Sequence, residues 1–138
     1  MSNGKGMSRR NFLKSSTTGI AAAAAFPTFV PSSAFGANDR VNVAAVGIRG
    51  QGGGLINGFG RVPNVTIAAI CDVDANLFPE RVSQIQERQG SAPRTYTDMR
   101  RLFENPDIDA VVFATPNHWH ALGSIWAAQA GKHVYVEK

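Results

Sequence analysis

The stretch Val41-Asn42-Val43-Ala44-Ala45-Val46-Gly47-Ile48-Arg49-Gly50-Gln51-Gly52-Gly53-Gly54 decides the fold. Its first six residues are short, partly β-branched and bounded by glycine, the pattern of a strand. A short helix is expected from Gly50 to about Gly60, with Leu55, Ile56 and Phe59 on its apolar side. A strand that turns on glycine into a helix has a physical use. Gly47 suits the tight turn, Gly52 falls where helix and strand must approach closely, and bare backbone lies beside free helix N–H groups.

Such a turn can receive the pyrophosphate of a dinucleotide, and Gly47, Arg49, Gly50, Gln51 and Gly52 are the residues expected to face it. The usual spacing is G-x-G-x-x-G; here Arg49 holds the second glycine position and Gly50 comes one later. Arg49 has two readings: a guanidinium that pairs with phosphate bidentately, or a side chain that points to solvent. Asp72 strengthens the dinucleotide reading. It lies 25 positions after Gly47, close to the offset of about 20 residues at which an acid meets the adenosine ribose. There it can accept both ribose hydroxyls and repel a 2′-phosphate, so NAD is expected rather than NADP. The bland alternative is a turn residue in Asp72-Val73-Asp74.

The remainder alternates strand and helix. A second strand, Val65–Cys71, follows the turn signal Pro63-Asn64. A helix is expected over residues 77–89, with Arg81 and Glu87 outward and Gly90 ending it. A brief strand at Arg94–Tyr96 precedes a helix over residues 99–104, capped by Asp98, with Leu102 and Phe103 inward. Residues 109–114 read as a buried strand. The next helix runs to Ala130 with Leu122, Ile125, Trp126 and Gln129 on its inward stripe; Gly131 stops it, and His133–Val136 is a last strand. The expected fold is α/β: a doubly wound parallel sheet of about five strands, covered on both faces.

Charge separates the chain into two parts. Lys5, Arg9, Arg10 and Lys14 supply the whole net charge of +4, because from Asn38 onward ten Lys or Arg balance ten Asp or Glu. No basic face is left for a nucleic acid. Residues 1–37 read as an address: two arginines before Phe12-Leu13, an alanine-rich apolar run interrupted by Pro27 and Pro31, and small residues around Gly36 and Ala37 where a signal peptidase could cut. The run falls short of the ~20 apolar residues of a spanning anchor. It resembles a twin-arginine export signal, which implies the twin-arginine export machinery as a partner and a periplasmic or otherwise exported protein. That route carries folded proteins, so a cofactor would be loaded before crossing and then held. Residues 38–138 form the expected dinucleotide-binding domain. The single cysteine, Cys71, excludes an internal disulfide and is expected to be a buried packing residue.

Two further motifs are distinctive: Ala114-Thr115-Pro116-Asn117-His118-Trp119-His120 and Ala130-Gly131-Lys132-His133-Val134-Tyr135-Val136-Glu137-Lys138. With the glycine loop, they resemble the N-terminal Rossmann domain of the glucose–fructose oxidoreductase / inositol dehydrogenase / MocA (Gfo/Idh/MocA) family, over about residues 40–138. The resemblance implies that Thr115, Pro116 and Asn117 line the nicotinamide side and that His120 lies near the cofactor. It implies that Glu137 and Lys138 open the family's Glu-Lys-Pro signature, with Lys138 beside the nicotinamide and the substrate hydroxyl, assisting proton transfer. His120 and Lys138 are thus the expected catalytic pair. A metal reading of His118 and His120 lacks a third ligand nearby, and no metal is expected. The sequence stops before the signature's proline and the family's second α+β domain. On the resemblance, the chain is an incomplete, inactive part of an oxidoreductase that acts on a sugar or polyol secondary alcohol. The alternatives are a nucleotide-binding fragment completed by a partner chain, and part of an NAD-dependent glycosidase.

Overall fold

The structure, a computed structural model, describes residues 40–137. The leader and Lys138 lie outside the described residues. Five parallel strands, β1 (Val41–Val46), β2 (Val65–Cys71), β3 (Arg94–Tyr96), β4 (Ala110–Phe113) and β5 (His133–Val136), form one sheet in the order β3-β2-β1-β4-β5. The helices between them are α1 (Gly50–Phe59), α2 (Phe78–Gln89), α3 (Met99–Phe103) and α4 (Asn117–Gln129).

The two-residue period of the strands sends side chains alternately to two cores. Val43, Ala45 and Val112 pack with Ile56 of α1 and Ile85 of α2. Ala44, Val46, Val111 and Phe113 pack with Leu102 and Phe103 of α3 and Ala127 of α4. The first two helices cover one face and the last two cover the other. The chain therefore reverses its winding between β1 and β4, and a crevice opens at their carboxyl ends. The expected doubly wound sheet is the fold observed.

Local chemistry sets the boundaries. Asn64 takes φ 64° in the turn before β2. Gly90 closes α2 at φ 77°, donating its N–H to the Gln86 carbonyl. The Asp98 carboxylate accepts from the Arg100 N–H and starts α3. Leu77 falls in a short 3-10 turn, Ala75–Leu77, that feeds α2, since Asp74 caps that turn with its side chain on the Asn76 N–H.

Three expectations about faces need correction. Leu122 and Ile125 are 41% and 53% exposed; Gly123 and Ala127 face the sheet instead. The reason is proximity: a Cβ on Gly123 would stand 2.7 Å from the Phe113 ring, so α4 lies too close to the sheet for large residues along its contact line. Arg81 does not point outward. Its guanidinium lies over Gly53 of α1, where an added Cβ would meet it at 2.9 Å, and Nη1 donates to Gln84 Oε1 at 2.8 Å. Finally, β5 is not covered on both faces. Val134, Tyr135 and Val136 are exposed at the edge of the sheet, with Tyr135 set edge-on to Phe59 at 5.5 Å between ring centres.

The tightest contact joins β1 to α1. A Cβ on Gly52 would fall 1.8 Å from the Gly47 carbonyl oxygen, and both partners are backbone. Gly52→Ala must push α1 off the strand. It is expected to lower folding stability by about 2–3 kcal/mol, the upper range for overpacking a close contact. Urea denaturation of the two proteins checks this; midpoints that coincide would show that the contact can yield.

Candidate functional site

The crevice at the β1/β4 switch holds a cavity of about 590 Å³. The glycine turn, the tip of β2, the start of α3 and the β4–α4 turn wall it, with Trp119 and Trp126 of α4 among the lining residues. Its volume lies within the range of about 300–1,000 Å³ that suits a cofactor-sized ligand.

The turn has the geometry its sequence promises. Gly47 takes φ 80°, and a Cβ there would stand 2.7 Å from the Ala114 carbonyl oxygen, so this position needs glycine twice over. Gly50 begins α1 at φ 41° with open space where its side chain would be. The helix start has no side-chain cap and no acidic residue in its first turn. Gln51 is exposed there. Gly50, Gln51 and Gly52 do not line the cavity, and the Gly52 N–H donates to the Arg49 carbonyl, but the terminus begins directly after the lining residue Arg49, and its partial positive charge suits an anion. Arg49, one residue earlier, lines the cavity and places Nη2 3.8 Å from Asp74 Oδ2, with its side chain 80% exposed.

Asp72 stands at the tip of β2, and its structural work exceeds what its spacing suggested. Oδ2 accepts the Ile48 N–H at 3.0 Å and Oδ1 accepts the Asp74 N–H at 3.0 Å. The carboxylate thus ties the glycine turn to the β2 tip while lining the cavity. Each oxygen retains a lone pair, so the same group can still accept sugar hydroxyls. Further along the rim, Asp98 holds Arg100 bidentately, with Nη2–Oδ2 at 2.6 Å. The Arg100 hydrogen bonds keep the Asp98 carboxyl down at about 2.

On the β4 side, Thr115 and Pro116 line the cavity. Thr115 Oγ1 is buried with no hydrogen-bond partner among the described residues. Asn117 is the exposed first residue of α4. His120 Nε2 lies 2.7 Å from the Thr115 carbonyl oxygen, and a carbonyl only accepts, so Nε2 carries the proton and braces the turn. His118 is exposed and set against Trp119, 6.0 Å between ring centres. Among the described residues no three His, Cys, Asp or Glu side chains converge as a metal site would require. Glu137 donates its N–H to the Phe113 carbonyl at 3.0 Å, and Tyr135 Oη reaches its carboxylate at 3.3 Å. The Lys138 expectation lies outside the described residues.

The crevice unites Gly47, Arg49, Asp72, Thr115 and Pro116, five expected residues drawn from three separate segments. The sequence reading missed the wall formed by Thr97, Asp98, Met99 and Arg100. Only the cap role of Asp98 was visible, because helix-start chemistry is local and a cavity wall is not. Cys71 also reaches the cavity, from a buried position.

This architecture defines a dinucleotide-binding α/β domain. Residues 41–138 match the Gfo/Idh/MocA family model, described as an oxidoreductase family with an NAD-binding Rossmann fold. The chain belongs to that family. It is 29% identical over 153 aligned residues to a glycosyl hydrolase family 109 protein of Shewanella pealeana, covering 95% of this chain and 33% of that protein. It is 28% identical to an NAD binding oxidoreductase of known structure from Klebsiella pneumoniae, at a TM-score of 0.58, covering 72% of this chain and 27% of that one. It shares its fold, at 22% identity and a TM-score of 0.61, with a scyllo-inositol dehydrogenase from Lactobacillus casei solved with NAD(H) and scyllo-inositol; the match covers 72% of this chain and 28% of that chain. The chain spans about a third or less of the length of these relatives.

Burial, then the charges of Asp72 and Asp98, push the Cys71 thiol from 9.0 up to about 12. The folded chain therefore keeps a proton that the unfolded chain releases near 9. Stability attributable to this thiol is complete below about pH 9 and is lost at up to about 1.4 kcal/mol per pH unit on the way to 12. Cys71→Ala is expected to show a shallower decline of stability between about pH 9 and 10.5. Identical slopes for the two proteins in urea melts would remove the assignment.

Proposed function

We propose that this chain is the dinucleotide-binding part of an exported, NAD-dependent oxidoreductase that transfers hydride to or from a secondary alcohol of a sugar or polyol. The observation that carries the reading is the convergence of the glycine turn, through Gly47 and Arg49, and the Asp72 carboxylate on one cavity, with the uncapped start of α1 following directly after Arg49. The residues present fit the cofactor. Gly47 and Gly52 keep the turn free of side chains where β1, α1 and the Ala114 carbonyl meet, and Thr115 Oγ1, beside the cavity, is a buried hydroxyl with no partner among the described residues. The family description names NAD, which agrees with this donor set.

In this reading Asp72 accepts the adenosine ribose hydroxyls and its charge disfavours a 2′-phosphate. Gly50 and Gln51, at the start of α1, present N–H groups to the pyrophosphate. The apolar surfaces of Trp119, Trp126 and Met99 exclude water from the adenosine end. Thr115, Pro116 and Asn117 border the nicotinamide side, and His120 fixes the Thr115 carbonyl. The nicotinamide supplies the hydride chemistry when bound. Glu137 and Lys138 belong to the catalytic end, with the Lys138 ammonium orienting a substrate hydroxyl and handling its proton. Residues 1–37 form a twin-arginine signal preceding a domain over residues 38–138, so the cofactor is loaded in the cytoplasm and retained.

A second reading is favoured by the family 109 glycosyl hydrolase likeness: the same cofactor site would serve an NAD-dependent glycosidase. Sugar substrates separate the two, because net NADH accumulates only in the dehydrogenase, whereas the glycosidase releases an alcohol with NAD unchanged overall.

Both readings require saturable NAD binding, and the two tryptophans at the cavity make it visible. Titration with NAD is expected to change intrinsic tryptophan fluorescence. Asp72→Ala is expected to weaken NAD binding at least about tenfold, equivalent to about 1.4 kcal/mol, and to lower stability by about 1–3 kcal/mol because the Ile48 N–H loses its acceptor. A fluorescence signal that does not saturate with NAD would overturn the proposal.

A further inference from the structure

We propose that Arg49 is a swinging phosphate arm, resting on Asp74 in the free chain and closing over the pyrophosphate when a dinucleotide binds. The inference rests on the cavity being a dinucleotide site, and it assigns a role to the residue at which the glycine turn departs from its usual pattern.

The backbone shows that the departure costs no strain. Arg49 has φ −82° and ψ 159°, extended angles open to any L-residue. The positive φ is taken one residue later by Gly50, at 41°. A side chain is therefore admissible at the position where glycine is usual, and it leaves the backbone immediately before the uncapped start of α1.

The charges around the cavity single this side chain out. Arg49 and Arg100 are the two cations among the residues that line it. Arg100 is committed: Nε and Nη2 both engage the Asp98 carboxylate, at 2.6 to 3.1 Å. Among the described residues Arg49 has only the 3.8 Å approach to Asp74 Oδ2, across solvent-exposed surface. A pair so long and so exposed contributes little, whereas a guanidinium meets phosphate oxygens in a short, two-pronged geometry. Exchange of one partner for the other runs toward phosphate.

Asp74 does not need Arg49 to stay. Its Oδ1 accepts from the Asn76 N–H at 3.1 Å and the Asn76 amide at 3.0 Å, which fixes it in its own turn. Departure of the arm leaves an exposed carboxylate oxygen that water can satisfy. Asp72, held to the backbone on both oxygens, stays in place while the arm moves. The cavity thus joins a fixed acid for a sugar with a loosely tethered base for the phosphates beside it.

The guanidinium sits near the β2 tip, so the phosphate it meets has two possible sources, the pyrophosphate or a 2′-phosphate. The charge of Asp72 opposes the second, and the proposal commits to the first. The test uses the full chain and its Arg49→Ala, Arg49→Gly, Arg49→Lys, Asp74→Asn and Arg49→Ala/Asp74→Asn variants. Folding is verified by circular dichroism, and adenosine, ADP, NAD and NADP are titrated by calorimetry or tryptophan fluorescence. Arg49→Ala and Arg49→Gly are expected to weaken ADP and NAD about tenfold or more, roughly 1.4 kcal/mol, and to leave adenosine unchanged. Arg49→Lys should fall between them, since it keeps charge without the planar fork. Asp74→Asn should tighten ADP, and most of that gain should vanish in the double variant.

Arg49→Gly restores the usual spacing of glycines and is the sharpest variant. If it binds ADP as well as or better than the parent, Arg49 is a tolerated substitution and the arm does not exist. An equal loss for adenosine would make Arg49 a structural residue, and a loss confined to NADP would move it to the 2′-phosphate; either overturns the proposal. A parent chain that binds neither ADP nor NAD defeats the dinucleotide reading itself, and the arm falls with it. A parent that binds with Arg49 variants unimpaired defeats the arm alone.

Discussion

The close approach of Gly52 to the Gly47 carbonyl is the constraint on which the rest depends. It seats α1 against the end of β1, and only a residue without a Cβ permits it. Because α1 is seated there, its N-terminal N–H groups open beside the switch point rather than over the flank of the sheet. The Ile48 N–H, between the two glycines, then falls within reach of Asp72. One backbone contact therefore fixes where an anion can sit and which strand tip supplies the neighbouring acid. Gly47 meets the Ala114 carbonyl on its other side, so the β4 wall is referenced to the same point.

Much of this was legible in the chain. Strand and helix alternation, the glycine turn, the Asp98 cap and the Gly90 stop are local signals, and each sits where local chemistry puts it. The spacing of Asp72 pointed to the correct strand tip. Its double engagement by the Ile48 and Asp74 N–H groups did not follow from spacing, since the backbone it binds comes from the turn after β1 and the turn after β2. The inward face of α4 was misread for a related reason. Leu122 and Ile125 suggested an apolar stripe, but the distance to Phe113 decides which residues face the sheet, and that distance belongs to the packed fold. Arg81 shows the converse: a charge that looked solvent-bound fills the space Gly53 leaves empty.

The sheet is unequal across its width. Its central strands are buried on both faces, while β5 presents Val134, Tyr135 and Val136 to solvent at the rim. The crevice lies between β1 and β4, inside the well-packed part; backbone hydrogen bonds hold Gly47 and Asp72 on its wall, and the His120 ring holds the Thr115 carbonyl. Arg49 is the contrast: it lines the same crevice with an exposed side chain that meets Asp74 only at 3.8 Å, while Asp72 is held on both carboxylate oxygens. The relatives extend well beyond the length matched here.

Cys71 carries a last consequence. The lone cysteine lies at the end of β2 with 3% of its surface showing, and that little lies on the wall of the crevice. With no second cysteine within the 138 residues, no disulfide forms inside the chain. Thiolate chemistry requires exposure and a lost proton, and the native packing denies both. A sulfhydryl reagent applied to native protein would consequently be slowed both by that packing and by whatever occupies the crevice, so its rate reports on the filling of the crevice as well as on opening of the fold.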